Sequence, residues 1–462
     1  MTRRELLAMA ASGAFAAEHL NRAPLSHENL TVKLPEAEMV KLSNGVTLLA
    51  IEDNRLPIAS VRFQIEDAGA IYSLRSGLAE CTAEMLTEGG GGRSGKQIAD
   101  EAARLGATLT SSAPAGAEAA TADGSGLTSH FSEWLALAAA VVLHPSFPAD
   151  EFSAVKQRWR VRARLRVTQP STLADDNLHR LIYGSHPAAV IFPSGESLAS
   201  ITPEMLAQWH RERYTPAKTI VLCIGRVRTS TFVSQMQKLL GGWQAAEANV
   251  TPPPPPQPAS ARRIVLIDRP GAAQTELAVG GLLMERRDPD FIAMVVLNGV
   301  LGGTVGSRLY RILRDEKGYS VNPGSSYGAF RFPGFWRVKA AVRTNATADS
   351  LAVVLEQLRR LCDEPVPDDE LERAKSNAVG SFALRLEQPA QVINQSYLRY
   401  RYGFSADYWD RYPVKIDSVS AAEIQAVAQK YLAPDRAQIV AVGDAARIRP
   451  ALDKLGKVED VG

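Results

Sequence analysis

The chain has 462 residues, of which 45% are apolar and 22% charged, and its 52 basic and 50 acidic side chains leave a formal net charge of +2. That length exceeds one ordinary core and suggests about three or four packed units, and the composition excludes a disordered chain. The near-balance of charge gives no electrostatic footprint for a nucleic acid or an anionic membrane.

In chain order, Arg3 and Arg4 precede a small-residue apolar stretch to Ala17, with Ala14-Phe15-Ala16 in the pattern of a cleavage site. Residues 1–25 are therefore expected to be an export signal, the paired arginines pointing to the twin-arginine type and a periplasmic destination. A frayed terminus on a cytoplasmic protein is the alternative. Thr47–Ile51 and Ile58–Ile65 read as strands. The apolar run Trp134–Leu143 is shorter than the roughly 18 to 20 residues a membrane span needs, so it reads as a buried helix and no membrane protein is expected. Pro148–Arg166 has helical periodicity, and Ile220–Ile224 reads as a closing strand. Cys81, Cys223 and Cys362 stand far apart outside any Cys-x-x-Cys or Cys/His pattern, which suits buried small hydrophobes better than disulfides or a thiolate metal site.

The proline run Thr251–Pro258 fits neither helix nor central strand and should be an extended spacer, placing a linker at 249–260. Beyond it, Arg263–Ile267, Glu276–Gly281 and the closing Gln438–Val442 again read as strands. The two sides of the linker repeat one another. Pro148, Asp150, Glu151, Lys156, Leu165, Arg166, Gln169 and Pro170 recur as Pro367, Asp369, Glu370, Lys375, Leu384, Arg385, Gln388 and Pro389, each 219 positions on. The expected fold is α+β, with two homologous halves at 30–248 and 261–455, each an α/β sandwich, joined by the linker into a clam-shell.

The stretch Ser76 to Gly90 contains Gly77-Leu78-Ala79, then Met85-Leu86 and glycines. It resembles the pitrilysin/insulinase/mitochondrial processing peptidase family of zinc peptidases. In that family the residues between are the inverted motif His-x-x-Glu-His, in which two histidines one helical turn apart hold zinc and the glutamate activates water. Laid on that motif, this chain has Glu80, Ala83 and Glu84, so the resemblance implies that both histidine ligands and the general base are missing. The third ligand, a glutamate, falls near Val161 or Arg162 when the family's downstream proline is set on Pro170, and no acidic residue lies between Phe152 and Ala174. None of the seven histidines follows the linker or forms the motif in either direction. Two carboxylates on a helix face lack the oxygens a calcium ion needs. An ion pair is expected in place of the metal, joining Glu80 and Glu84 to a helix that carries Arg158, Arg160, Arg162 and Arg164; the alternative is that both glutamates point into water.

A second element of the family is matched by Gly302-Gly303-x-x-Gly306-Ser307-Arg308-Leu309-Tyr310 and Leu313-Arg314-Asp315-Glu316-Lys317-Gly318. In catalytic relatives an arginine at the position of Arg314 and a tyrosine seven residues on bind peptide and the developing oxyanion. Position 321 is Val, and the nearest tyrosine is Tyr319, which would share a face with it on a strand. Arg314 and Tyr319 are the candidate peptide contacts, with a surface arginine and a packed tyrosine as the plain alternative. The resemblance covers roughly residues 35 to 450 and includes Pro270-Gly271-x-x-Gln274-Thr275.

Some family members divide the zinc motif and the Arg/Tyr pair between two chains, and in others a metal-free chain is a scaffold. The resemblance therefore implies a non-catalytic subunit that binds no cofactor itself, partnered by a zinc-bearing chain of the same family and acting on unfolded peptides. A peptide-binding scaffold without a peptidase partner is the alternative, and an active metallopeptidase ranks last. Gly90-Gly91-Gly92-Arg93-Ser94-Gly95-Lys96 nearly spells a phosphate-binding loop, but Gln97 replaces the magnesium-holding hydroxyl and the run follows a helical pattern, so it reads as a glycine turn.

Overall fold

The structure is a computed structural model and describes residues 32–244 and 250–460. The expected export signal at 1–25 lies outside the described residues, as does residue 249 of the linker.

Each half is built on one six-stranded mixed sheet. The first takes β1 (Glu38–Lys41), β2 (Thr47–Glu52), β3 (Ile58–Glu66), β6 (Ala107–Ser112), β7 (Ala119–Leu127) and β8 (Thr219–Gly225), with β4 (Gly89–Gly90) and β5 (Arg93–Ser94) forming a separate short hairpin. Its order is β1-β2-β8-β3-β7-β6. The second takes β9 (Arg263–Asp268), β10 (Gln274–Leu282), β11 (Gly324–Gly328), β12 (Phe335–Arg343), β13 (Gln438–Gly443) and β14 (Val458–Asp460), ordered β11-β12-β10-β13-β9-β14. The repeat is visible in the pairing. β2 runs parallel to β8 with Thr47 opposite Ile220, and β9 runs parallel to β13 with Gln438 opposite Arg263. β3 and β10 then each lie antiparallel between their neighbours.

The strands read from the apolar runs are all present, each extended by one to three residues. β8 and β13 are buried at every residue, which is why their sequences are nearly continuous in apolar side chains. What covers their two faces differs. Leu48, Ala50, Val221 and Cys223 pack into the N-terminal half's own helical layer, with Trp134 and Leu135 of the buried helix Phe131–Leu143. The opposite face, with Leu49, Ile51, Ile220 and Leu222, packs against Val392, Ile393 and Tyr397 of the helix Pro389–Tyr402, which belongs to the C-terminal half. The reverse also holds: Ala174, Leu178 and Ile182 of the helix Pro170–Tyr183 cover Val265, Ala278 and Val440 of the second sheet. Each lobe thus lends one helix to the other's sheet.

The matched Gln-Pro pairs explain where those helices begin. Gln169 and Gln388 are extended (φ −97°, ψ 113° and φ −91°, ψ 121°) because a residue before proline is kept out of the helical region. Pro170 and Pro389 then open the lent helices at the one position where a missing N–H costs nothing. The long helices Ala149–Thr168 and Asp368–Arg385 stop there and the chain turns.

Charge also ties the lobes together. Arg401, on the lent helix, meets Glu66 at 2.9 Å and Glu118 at 3.1 Å, while Arg331 reaches Asp67 and Glu118, both at 2.8 Å. Tyr397 donates its hydroxyl hydrogen to Glu66. The two-lobed arrangement therefore rests on interlocked helices and buried ion pairs.

The glycine run proves to be a two-residue hairpin turn, with Gly91 and Gly92 at φ 58° and 77°. Ser94 then caps the helix Gly95–Arg104, and Gln97 completes a capping box with it. All three cysteines are buried and free. Among the described residues no helix is long and apolar enough to cross a membrane.

Candidate functional site

Glu80, Ala83 and Glu84 all lie on the helix Leu78–Met85, which starts after Gly77 in the left-handed region (φ 93°). A side chain at Gly77 would be strained at that φ and would press to 3.1 Å from Leu198 and Pro193. The helix Ala149–Thr168 packs across it and brings Arg158, Trp159 and Arg162 to Glu84. Trp159 Nε1 donates to Glu84 Oε2 at 2.7 Å, Arg162 Nη1 to the same oxygen at 3.4 Å, and Arg158 Nη2 to Oε1 at 3.2 Å. Arg158 also bridges to Glu88 at 2.5 Å, and Arg162 lies 5.5 Å over the Trp159 ring. Trp159 was not singled out from sequence, although its seventy-five-residue separation from Glu84 leaves no local signal that could have found it.

The expected ion pair therefore forms at Glu84 but not at Glu80. Glu80 is 7% exposed, its Oε2 has no hydrogen-bond partner, and no basic side chain among the described residues pairs with it. It points neither to arginine nor to water. Burial pushes its carboxyl up to about 7, partly opposed by the backbone N–H groups of Glu80 and Gly77. The two glutamates share a helix face, but Glu80 stands one turn nearer the N-terminus, and the donors of the crossing helix reach Glu84 alone. Arg160 and Arg164 are exposed and make no ion pair among the described residues.

A zinc ion does not fit this donor set. Ala83 is fully buried and offers no side-chain ligand, its carbonyl being taken by Ser111 Oγ at 2.6 Å. Both oxygens of Glu84 already accept from N–H groups, and Arg162 brings a cation where a third ligand would have to stand. No group of three or more His, Cys, Asp or Glu among the described residues could hold a metal.

Arg314 lies on the π-helical turn Arg311–Glu316 that continues the short helix Arg308–Tyr310. It is exposed, hydrogen-bonds to Tyr310 Oη and sits 4.8 Å over that ring. Tyr319 lies outside any strand, so strand alternation does not place it beside residue 321. It is half-buried, donates to Asp349 Oδ2 at 3.4 Å and lies under Arg343 at 5.8 Å. The tyrosine that partners Arg314 is thus Tyr310, four residues back, a helical spacing legible in the sequence. The turn is anchored by Arg308, 3% exposed, whose Nε donates to Glu370 at 2.6 Å. No hydrogen bond or ion pair among the described residues joins this turn to the Glu84 cluster.

Residues 200–378 match a family model described as the peptidase M16 inactive domain. An uncharacterized zinc protease, YmxG of Bacillus subtilis, is 24% identical over 273 residues, covering 58% of this chain and 65% of the relative, so the chain spans just under two thirds of it. A probable mitochondrial-processing peptidase subunit beta of Arabidopsis thaliana is 23% identical over 442 residues, or 91% of this chain and 80% of that protein. Among solved structures, a peptidase M16 inactive domain from Pseudomonas fluorescens superposes with a TM-score of 0.82 at 24% identity, covering 88% of this chain and 98% of that one. A protease from Helicobacter pylori gives 0.80 at 18% identity, covering 89% and 100%. These structural likenesses are likenesses of fold.

Proposed function

We propose, from its similarity to the peptidase M16 inactive domain and to a mitochondrial-processing peptidase beta subunit, that the chain is a non-catalytic subunit of a two-chain zinc peptidase, whose metal and general base are held by a partner chain of the same family. The observation that carries the reading is Glu84, whose carboxylate is saturated by Trp159, Arg158 and Arg162 at the position of a zinc ligand in the family motif. In that reading the zinc motif was lost and an ion pair took its place, keeping two helices packed where a metal would have tied them. This chain then supplies part of the wall of a peptide-binding chamber, and Arg314, exposed on its turn, supplies a carbonyl or oxyanion contact. Unfolded peptides add as a strand along an exposed sheet edge, for which β1 and β6 are the free edges of the first sheet. The leader-like residues 1–25 put the complex in the periplasm under the same proposal.

The test is metal content and cleavage of a quenched peptide by the purified chain, alone and mixed with a zinc-motif relative encoded beside it. Metal-free protein, inactive alone but raising the relative's rate, supports the subunit role. Stoichiometric zinc with activity alone overturns it, and a mixture no faster than the relative alone leaves the peptide-holding scaffold as the better reading.

A further inference from the structure

The C-terminal lobe contains a buried cation that the peptidase reading does not use. Arg286 is 7% exposed, and its guanidinium lies 3.7 Å over the Phe291 ring and 5.0 Å over that of Phe404. Its Nη1 donates to Tyr408 Oη at 3.3 Å, and no carboxylate among the described residues pairs with it. Two aromatic rings stabilise a guanidinium by cation–π attraction but do not neutralise it, and a buried charge without a counter-ion is costly.

Arg286 lines a cavity of about 450 Å³ bounded by the start of the helix Phe291–Leu301 and by residues 404–430. Its Nε and Nη2 have no hydrogen-bond partner among the described residues. Lys415 stands on the same wall, 4.1 Å over the Tyr408 ring and likewise without an acidic partner among the described residues, and Arg287 is exposed at the rim. The acidic groups of the wall are already engaged. Asp290 takes Lys430 at 2.7 Å, Asp288 accepts from the backbone N–H of Asp290 at 2.9 Å, and Glu423 accepts from Ser420 N at 2.7 Å. Neither Arg286 nor Lys415 is reached by any of them.

We propose that this cavity is a binding site for a small organic carboxylate with an aromatic body. The carboxylate would take the free edge of the Arg286 guanidinium in a two-point hydrogen bond, with Lys415 as the second cation. The ring would lie along the apolar part of the wall, Ile292, Val419, Ala426 and Val427, since the Tyr408 ring already carries Phe404 stacked at 4.0 Å and Lys415 at 4.1 Å. The site lies within one lobe, and its existence does not depend on the peptidase proposal.

Calorimetric titration of the purified chain with 3-phenylpropionate, phenethylamine and inorganic phosphate tests it. One saturable site for phenylpropionate is expected, with no heat from the amine of like size and opposite charge, and phosphate weaker by at least about tenfold because it lacks the ring. Lys415→Gln, at a half-buried position, should weaken phenylpropionate by about tenfold while melting like the parent, and Arg286→Met, where it folds, should abolish binding. No binding of phenylpropionate, equal binding of the amine or of phosphate, or affinity unchanged in Lys415→Gln would each overturn the proposal.

Discussion

The indole Nε1 of Trp159 donates to Glu84 Oε2 at 2.7 Å, so a carboxylate on one helix is fixed by the helix crossing it. A hydrogen bond to a partly buried charge contributes about 1.5–3 kcal/mol, and its loss also strands the Trp159 N–H and leaves Arg162 without its carboxylate, while Arg158 keeps Glu88. Glu84→Ala should therefore lower unfolding free energy by roughly 2 kcal/mol in urea titration, and Trp159→Phe by about half of that. A Glu84→Ala variant as stable as the parent would show that the cluster holds nothing together.

Glu80 gives a pH dependence of opposite sense to an ordinary ion-paired carboxylate. Between the usual value of 4.5 and about 7 the folded state keeps a proton that the unfolded chain has released. The unfolded state thus binds fewer protons, and stability falls as pH rises through that window and is level above it. At about 1.4 kcal/mol per pH unit the loss is roughly 3 kcal/mol. Glu80→Gln should be the more stable protein at pH 8 by about that amount and equal to the parent at pH 4, as measured by thermal or urea unfolding at both.

Arg401 pairs with Glu66 and Glu118 across the two lobes, and all three side chains are largely buried. Removing it leaves two carboxylates without that partner, which for buried pairs costs about 3–5 kcal/mol. Arg401→Met should show that loss in urea. The loss should differ little between 0.1 and 1 M salt because screening acts weakly on buried charges.

Because each lobe lends a helix to the other's sheet, the proline segment is not what keeps the lobes together. A protease site placed between Pro253 and Pro256, cut in the folded protein, should leave both fragments co-eluting in gel filtration under native conditions. Separation of the fragments would mean that the interlocked helices contribute little.

Arg314 is exposed, and its one side-chain hydrogen-bond partner among the described residues is Tyr310, one turn back. Arg314→Ala should change the stability of the isolated chain by no more than about 0.5 kcal/mol. In the two-chain mixture it should lower kcat/KM by about 2–4 kcal/mol in transition-state terms, the size of an oxyanion contact. An unchanged rate would remove Arg314 from the chamber's chemistry.

Much of this protein could be read without coordinates because much of it is written in local pattern. Apolar runs marked β2, β3, β8, β9, β10 and β13, and the Gln-Pro pairs at 169–170 and 388–389 marked where each long helix ends and the lent helix begins, because proline constrains its own φ and the residue before it. The repeat displaced by 219 positions announced two equivalent lobes, and the residues at 80, 83 and 84 were legible as carboxylates and a methyl group.

What each of those groups does was decided only in three dimensions. Glu80 and Glu84 are the same residue type four positions apart, yet one is enclosed with its Oε2 unpaired and the other is held by three donors from a helix more than seventy residues away. Tyr319 looked like a neighbour for Arg314 on the assumption of a strand that does not form there, while Tyr310 lay one helical turn back. The exchange of helices between lobes left no trace in sequence, since an amphipathic helix states that it must bury a face but not against which sheet. Desolvation and ion pairing depend on which distant segments arrive at a side chain, and that is fixed by tertiary packing alone.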